Sequence, residues 1–278
     1  MIGHPIDHSV SPQMHNAALA AHVTADPRLE GRRYVAFDIE PDALPAALNL
    51  MHRHGFLGVN LTVPHKVMAV ELVSAIDPAA AEAGAVNTLV REGPGWRGYN
   101  TDGYGLAAGL REDLGVDLRG SSVVLLGAGG AARGAAVECL RAGCVDLRII
   151  NRSPDRLDEL MAAIRPLAGS IAVGTSLTEP RKPASPILIN ATSAGLKSGD
   201  APPIDLSGIE GLRAVYDMIY NPPRTVLLAQ AAALGIRHAN GLGMLVHQGA
   251  KALEIWTGIP APRLAPAMRA AASKALGY

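Results

Sequence analysis

The sequence predicts an α/β protein in two parts, a compact N-terminal α/β unit followed by a doubly wound parallel sheet. Three observations carry this. Apolar runs suited to buried strands recur at Ser121–Leu126, Asp146–Ile150, Ile187–Asn190 and Ala214–Tyr220, and runs of this kind belong to sheets covered on both faces. The first of them leads directly into Gly127-Ala128-Gly129-Gly130-Ala131-Ala132-Arg133. Upstream, the first hundred residues hold short strand and helix patterns of their own. A chain of 278 residues, 49% hydrophobic, has the length for two such domains.

Ile2 to Pro12 reads as a loop from its Gly, Pro and Ser content, with helical pattern starting around Pro12. Tyr34–Ile39 alternates like a strand, Asp42–His54 has helical spacing, and Gly58–Val63 forms a second strand stopped by Pro64. Lys66–Ile76 again has helical spacing. Ala85–Val90 reads as a strand, and Gly93-Pro94-Gly95 is turn chemistry before Trp96–Tyr99. A helix over Tyr104–Leu114 then leads into the second part, whose first strand ends at the glycine loop. A further helix to about Ala142 follows that loop. From Gly241 a loop enters an amphipathic helix that runs to Trp256.

Strand, glycine-rich turn, helix and strand in this order form the fingerprint of a Rossmann-type dinucleotide site. Glycines let the backbone approach a pyrophosphate, and the following helix N-terminus offers N–H groups and partial positive charge to its oxygens. At the end of the second strand, NAD-binding units carry an acidic residue for the ribose hydroxyls. This chain instead has Asn151-Arg152-Ser153 and then Arg156. Guanidinium groups suit an anionic 2′-phosphate, so the sequence favours NADP over NAD. Thr192 and Ser193, in Ala191-Thr192-Ser193-Ala194-Gly195, are small residues at a strand end that allow a cofactor close to the backbone.

Lys66, in Gly58-Val59-Asn60-Leu61-Thr62-Val63-Pro64-His65-Lys66, and Asp102, in Asn100-Thr101-Asp102-Gly103, lie in short polar segments between apolar runs. Such segments present side chains to a cleft. A lysine and a carboxylate beside a dinucleotide site are equipped for hydride transfer at an alcohol: the ammonium stabilises a developing alkoxide, and the carboxylate holds the hydroxyl and orients the amine. Which of the two is the formal base is left open by the residues.

Formal net charge is zero, with 25 basic and 25 acidic residues, which gives no electrostatic footprint for nucleic acid. Cys139 and Cys144 are the only cysteines and are expected as buried thiols. Nine histidines, His4, His8 and His15 among them, lack the His-Glu-x-x-His spacing of a zinc enzyme, so no metal is expected. His8 and His65 are expected as loop hydrogen-bonding residues. No apolar run approaches the roughly 20 residues of a membrane span, and no signal-peptide pattern opens the chain. The expectation is a cytoplasmic protein that takes a small-molecule substrate, with neither nucleic-acid nor membrane partners, as a monomer or homodimer.

Taken together, the motifs resemble the shikimate dehydrogenase family. They run in order through Gly3-His4-Pro5-Ile6-Asp7-His8-Ser9-Val10-Ser11-Pro12 with His15-Asn16, the Asn60–Lys66 segment, Val86-Asn87-Thr88, Asn100–Gly103, the glycine loop, Asn151–Ser153, Asn190–Gly195 and Gln248-Gly249-Ala250. The resemblance implies NADP-dependent interconversion of shikimate and 3-dehydroshikimate in aromatic amino-acid biosynthesis. By it, Ser9 and Ser11 hold the substrate carboxylate with help from Tyr220, and Thr62, Asn87 and Gln248 bind ring hydroxyls beside the catalytic Lys66 and Asp102. The cofactor set becomes Gly127, Ala128, Gly129, Gly130, Ala131, Asn151, Arg152, Ser153, Arg156, Thr192, Ser193, Met218 and Gly241.

The same resemblance implies a substrate-binding domain over 1–103, an NADP domain over 104–237 and C-terminal helices, 238–278, returning to the first domain, with closure of an interdomain cleft around the ligands. Family members carry several strand residues before the equivalent of Ile2–Gly3, so a shortened first strand or an upstream start is expected here. The Val23–Glu30 stretch reads as a local insertion. Ser11 has an alternative as a helix cap, and Asn87 as a partner for backbone at a strand end. Two rival functions stay open: a quinate/shikimate dehydrogenase using NAD, and a non-catalytic NADP-binding sensor.

Overall fold

The computed structural model describes residues 1–6, 9–177, 184–197 and 199–278. His8 therefore lies outside the described residues. The chain divides into two compact units, Met1–Asp102 with Val246–Tyr278, and Gly103–Leu245. Residues 238–245 thus group with the second unit. Among the described residues no helix is long and apolar enough to cross a membrane.

The first unit is two small sheets with helices. Strand β1 (Ile2–Gly3) pairs in parallel with β2 (Phe37–Asp38), and Ile2 also bridges Leu61 just beyond β3 (Gly58–Asn60). A separate four-stranded sheet runs from β3 through β5 (Thr88–Glu92) and β6 (Gly95–Tyr99), each antiparallel to its predecessor, to β4 (Ala75–Ile76), which is parallel to β6. Helices α1 (Ser11–His22), α2 (Leu44–Arg53), α9 (Leu242–Thr257) and α10 (Ala261–Leu276) surround it, with α10 packed along α1. The core is Ile2, Leu44, Leu48, Met51, Val59, Leu61, Val86, Leu89 and Trp96.

Several elements depart from the sequence patterns because pairing overrides local spacing. Ile2–Gly3, expected in a loop, is a strand since Gly3 and Met1 offer carbonyls to Ile39 and Phe37. The 34–39 strand is confined to Phe37–Asp38. Lys66–Ile76 is no single helix. A short helix α3 (His65–Met68) gives way to a 3₁₀ turn over Ala69–Glu71, and the N–H groups of Ser74 and Asp77 go to the β6 carbonyls of Trp96 and Gly98. Valines at 67, 70 and 73 weaken the helical alternative. The strand expected from Ala85 begins at Thr88. The Val23–Glu30 stretch closes α1 with a 3₁₀ turn over Pro27–Leu29, capped by Asp26, whose carboxylate accepts from the Arg28 N–H at 3.1 Å.

The second unit is a six-stranded parallel sheet in the order β12 (Arg237–Ala239), β11 (Ala214–Asp217), β10 (Ile187–Asn190), β7 (Ser122–Leu126), β8 (Asp146–Ile150), β9 (Ala172–Gly174). Counted from β7, this is 6-5-4-1-2-3, the doubly wound order whose ligand crevice opens where β7 and β10 diverge. Val123 and Leu125 pack into one helix layer, Val124 and Leu126 into the other, so the strand is apolar on both faces. Helices α5 (Asp102–Leu114), α6 (Gly130–Ala142), α7 (Pro154–Ile164) and α8 (Val226–Ala233) supply those layers. A short helix, α4 (Pro78–Ala83), capped by Asp77, completes the set in the first unit.

Gly58, at the start of β3, has no room for a side chain: a Cβ there would meet the Trp256 indole and sit 2.6 Å from the Leu89 carbonyl oxygen. Gly58→Ala is expected to cost about 3 kcal/mol, since the backbone oxygen cannot turn aside. Urea denaturation of the variant checks this, and an unchanged midpoint would refute it.

Candidate active site

In the first unit, β3 and the turn after it deliver Lys66 on α3, and the end of β6 delivers Asp102 at the start of α5. The Asn100 side chain accepts the Asp102 N–H at 2.9 Å, so α5 starts with the Asp102 carboxylate at its positive end. Lys66 Nζ donates to Asp102 Oδ2 at 2.7 Å, with the two side chains 27% and 22% exposed. That accessibility leaves the pair open to a ligand, unlike a core ion pair.

Asn87 stands between β5 and this pair and is 2% exposed. Its Nδ2 donates to Asp102 Oδ1 at 2.8 Å and to Thr101 Oγ1 at 3.0 Å, while its Oδ1 accepts from the Thr101 N–H at 2.9 Å. Asn87 therefore serves both backbone and the Asp102 carboxylate. Ser9 and Ser11 meet through the Ser11 N–H, which donates to Ser9 Oγ at 3.3 Å; Ser9 Oγ also lies 3.1 Å from Met1 Sδ. Ser11 is the first residue of α1, and no side chain caps that helix, so its hydroxyl is not spent as a cap. Thr62, half-buried, follows β3 and is tied by its N–H to Ile2 and by its carbonyl to the His65 N–H. Gln248 is half-buried on the second turn of α9. Among the expected substrate residues only Tyr220 belongs to the second unit, half-buried just beyond β11, and burial pushes its hydroxyl above the ordinary range.

Local sequence patterns assign no role in the site to the residues behind this group. Tyr34 OH donates to Asn60 Oδ1 at 2.7 Å, and Asn60 Nδ2 donates to Thr88 Oγ1 at 2.9 Å. In the sequence Asn60 lies inside the Gly58–Val63 strand pattern and opens the Asn60–Lys66 motif; in the structure it ends β3. His65, expected as a hydrogen-bonding loop residue, opens α3 and bonds through Nε2 to the Ile39 carbonyl at 2.8 Å. His15 on α1 stacks on Tyr34, with ring centroids 4.0 Å apart and 20° between planes.

In the second unit, the ends of β7, β8, β10 and β11 carry the expected cofactor residues. Gly127 has φ +109°, and a Cβ there would lie 3.1 Å from the Ala191 oxygen at the end of β10, so the two strand ends nearly touch. Gly129 caps α6 in extended conformation; side chains at Gly129 and Gly130 would meet nothing within 4 Å, and Gly129, Gly130 and Ala131 are exposed, with Ala128 half-buried before them. The first N–H groups of α6, from Gly130 to Ala132, precede the first intrahelical donor, Arg133. Arg152 and Arg156 are exposed beyond β8, and among the described residues neither has an ion-pair partner. Asn151 Nδ2 donates to the Ser153 carbonyl at 2.9 Å, shaping the turn that precedes α7.

Asn190 organises the next strand end: its Oδ1 accepts from Thr192 N–H and Oγ1 at 3.0 and 2.7 Å, and its Nδ2 donates to Asp217 at 3.0 Å. Asp217 is fully buried, which pushes its pKa up against three donors, Asn190, Thr225 and the Ile219 N–H. Ser193 is exposed beside Thr192, and Met218 is half-buried at the end of β11. Gly241 is buried against it: a Cβ would meet the Met218 carbonyl. A glycine cradle open above a helix N-terminus, with two unpaired guanidinium groups at the second strand, fits a 2′-phosphorylated dinucleotide. Among the described residues no group of three or more His, Cys, Asp or Glu is arranged to hold a metal.

A doubly wound dinucleotide unit joined to a second unit bearing a partly accessible lysine–carboxylate pair defines the class of two-unit α/β dehydrogenases. The shikimate dehydrogenase substrate binding domain matches residues 1–89, and the shikimate 5′-dehydrogenase C-terminal domain matches 241–272. A shikimate dehydrogenase (NADP(+)) of Moorella thermoacetica is 41% identical over 94% of this chain and 88% of its own. The shikimate 5-dehydrogenase of Thermus thermophilus, solved with NADP(H) and shikimate, superposes with TM-score 0.82 at 35% identity over 97% of each chain. A 5-ketofructose reductase of a Gluconobacter species superposes with TM-score 0.83 at 32% identity over 97% of this chain and 96% of its own. The chain belongs to the shikimate dehydrogenase family.

Burial lowers the His15 pKa from 6.5 to about 3. An unfolded chain takes up this proton near pH 6.5 and the folded one only near pH 3. Stability that depends on neutral His15 is therefore intact above pH 6.5 and is lost progressively as pH falls toward 3, at up to about 1.4 kcal/mol per unit. Urea denaturation between pH 7 and 4 is expected to show that loss in the wild type and a shallower one in His15→Phe. Equal slopes would refute it.

Proposed function

We propose that this chain is an NADP-dependent shikimate dehydrogenase, interconverting 3-dehydroshikimate and shikimate in the route to the aromatic amino acids. The observation that carries the reading is the 2.7 Å contact of Lys66 Nζ with Asp102 Oδ2, partly open to solvent. We assign Met1–Asp102 with Val246–Tyr278 to the substrate and Gly103–Leu245 to the dinucleotide. We further propose that it works in the cytoplasm as a monomer or homodimer.

The bound dinucleotide supplies the hydride. In the reducing direction, Lys66 meets the substrate oxygen as negative charge develops there and gives it a proton, while Asp102 accepts the hydrogen bond of the new hydroxyl. In the oxidising direction the hydroxyl proton passes to the Lys66–Asp102 pair as hydride leaves the same carbon. Ser9, Ser11 and Tyr220 offer hydroxyl donors to the carboxylate; Thr62, Asn87 and Gln248 receive the ring hydroxyls. Because both Asn87 amide hydrogens already have acceptors, a ring hydroxyl at that residue shares the one directed at Thr101 Oγ1. Gly127–Ala131 and the α6 N–H groups hold the pyrophosphate, with Thr192, Ser193, Met218 and Gly241 on the neighbouring strand ends. Arg152 and Arg156, seconded by Asn151 and Ser153, hold the 2′-phosphate.

Absorbance at the reduced-nicotinamide band, with shikimate or quinate and NADP or NAD in all four pairings, tests the reading. Turnover is expected with shikimate and NADP. Dominant activity with quinate or NAD would move it to the broader quinate/shikimate dehydrogenases, and cofactor binding without any turnover would favour a sensor. Lys66→Ala is expected to lower kcat by about 10²-fold or more while sparing NADP affinity; unchanged turnover would remove Lys66 from the chemistry. Arg152→Ala is expected to weaken NADP by about 10-fold and leave NAD nearly unaffected, as loss of a charge-assisted contact requires. Equal weakening of both cofactors would overturn that assignment.

A further inference from the structure

Behind Asp102 runs a continuous set of buried hydrogen bonds with only one consistent direction. The Asn87 carbonyl can only accept, and it takes a hydrogen from Asn60 Nδ2 at 3.1 Å. This orients the Asn60 amide, whose other hydrogen goes to Thr88 Oγ1 at 2.9 Å and whose Oδ1 must accept from Tyr34 OH at 2.7 Å. Thr88 Oγ1 is then left to donate its single hydrogen to Asn87 Oδ1 at 2.9 Å. At the far end, the Thr101 N–H can only donate and the Asp102 carboxylate can only accept, which orients the Asn87 amide the same way. Two backbone groups thus set every proton from Tyr34 to Asp102.

The set is sealed from solvent. Exposure is 8% at Tyr34, 7% at Asn60, 0% at Thr88 and 2% at Asn87. The Asn16 side chain pins the Tyr34 backbone at both ends, accepting from its N–H at 2.8 Å and donating to its carbonyl at 2.9 Å. Burial drives the Tyr34 phenol above its ordinary range, so it stays protonated, a donor at any working pH.

We propose that Thr88, backed by Asn60 and Tyr34, is a positioning residue for the reaction: its hydroxyl fixes the Asn87 amide, which occupies Asp102 Oδ1 and leaves Oδ2 to Lys66 and the substrate hydroxyl. This rests on the dehydrogenase reading above. Thr88 touches neither Lys66 nor Asp102; its effect passes through Asn87. Head-to-tail alignment also polarises successive bonds, strengthening the donor that Asp102 receives.

The test compares Thr88→Val, which keeps the shape and removes the hydroxyl, with Thr88→Ser, which keeps the hydroxyl. Wild-type turnover of shikimate with NADP is measured first; its absence counts against the function and not against Thr88. Thr88→Val is expected to lower kcat by about 10- to 100-fold with KM for shikimate within about threefold, and to displace the pH profile of kcat/KM. Thr88→Ser should restore both. Tyr34→Phe, which removes only the far donor, should lower kcat by a smaller factor in the same pattern and covers the case in which Thr88→Val does not fold. The Asn87 side-chain amide resonances report the same geometry without turnover: they should move in Thr88→Val, or in Tyr34→Phe, and hold in Thr88→Ser. Val and Ser variants impaired alike, a loss confined to KM, or amide resonances unmoved by hydroxyl removal would each overturn the proposal.

Discussion

Burial of one carboxamide, that of Asn87, is the constraint around which the first unit is arranged. A primary amide sealed from water must find partners for two hydrogens and an oxygen, or cost about 1–3 kcal/mol for each group left alone. Asn87 finds them in the loop that opens α5, and so ties Asp102 to the start of β5. One residue earlier, the Val86 N–H donates to the Lys66 carbonyl at 2.8 Å. Consecutive residues of one strand entry therefore hold the backbone of Lys66 and the carboxylate of Asp102, which lie 36 positions apart in sequence.

The second unit solves the same problem by segregation. In β10 and β11 the polar side chains are held back to the carboxyl ends, where Asn190, Thr192, Asp217 and Thr225 satisfy one another, whereas β8 buries an ion pair within itself, Arg148 Nε donating to Asp146 Oδ1 at 2.7 Å. That cluster shapes the loops after β10 and β11 without intruding on the core. The glycines at the end of β7 do the complementary task, keeping the backbone bare where a ligand must come close.

How much of this is legible in the sequence differs between the halves. Ser121–Leu126, Ile187–Asn190 and Ala214–Tyr220 stand out because a strand buried on both faces must be a continuous apolar run, though the last is strand only to Asp217, and the glycine loop stands out because Gly127 takes a left-handed backbone that favours glycine. The first unit is harder to read. Its strands are two to five residues long, and β1 and β4 owe their existence to backbone hydrogen bonds with distant segments, which no local period records. Lys66 and Asp102 are visible as polar residues in short gaps between apolar runs. Tyr34 and Thr88 are not: a tyrosine near a strand and a threonine opening one are ordinary β-formers, and only the fold puts Tyr34 against Asn60, 26 residues away.

The first unit is assembled from two stretches of chain separated by the whole of the second. Residues 103–245 form a contiguous body rich in neighbouring strand–helix units, and such a body can condense as soon as it leaves the ribosome. The first unit cannot. Helix α1 must keep its apolar side uncovered until α10, its packing partner, has been synthesised. The order of folding therefore departs from the order of the genetic text: the middle of the protein is finished first, and the beginning waits for the end, leaving residues 1–102 the span uncovered for longest during synthesis.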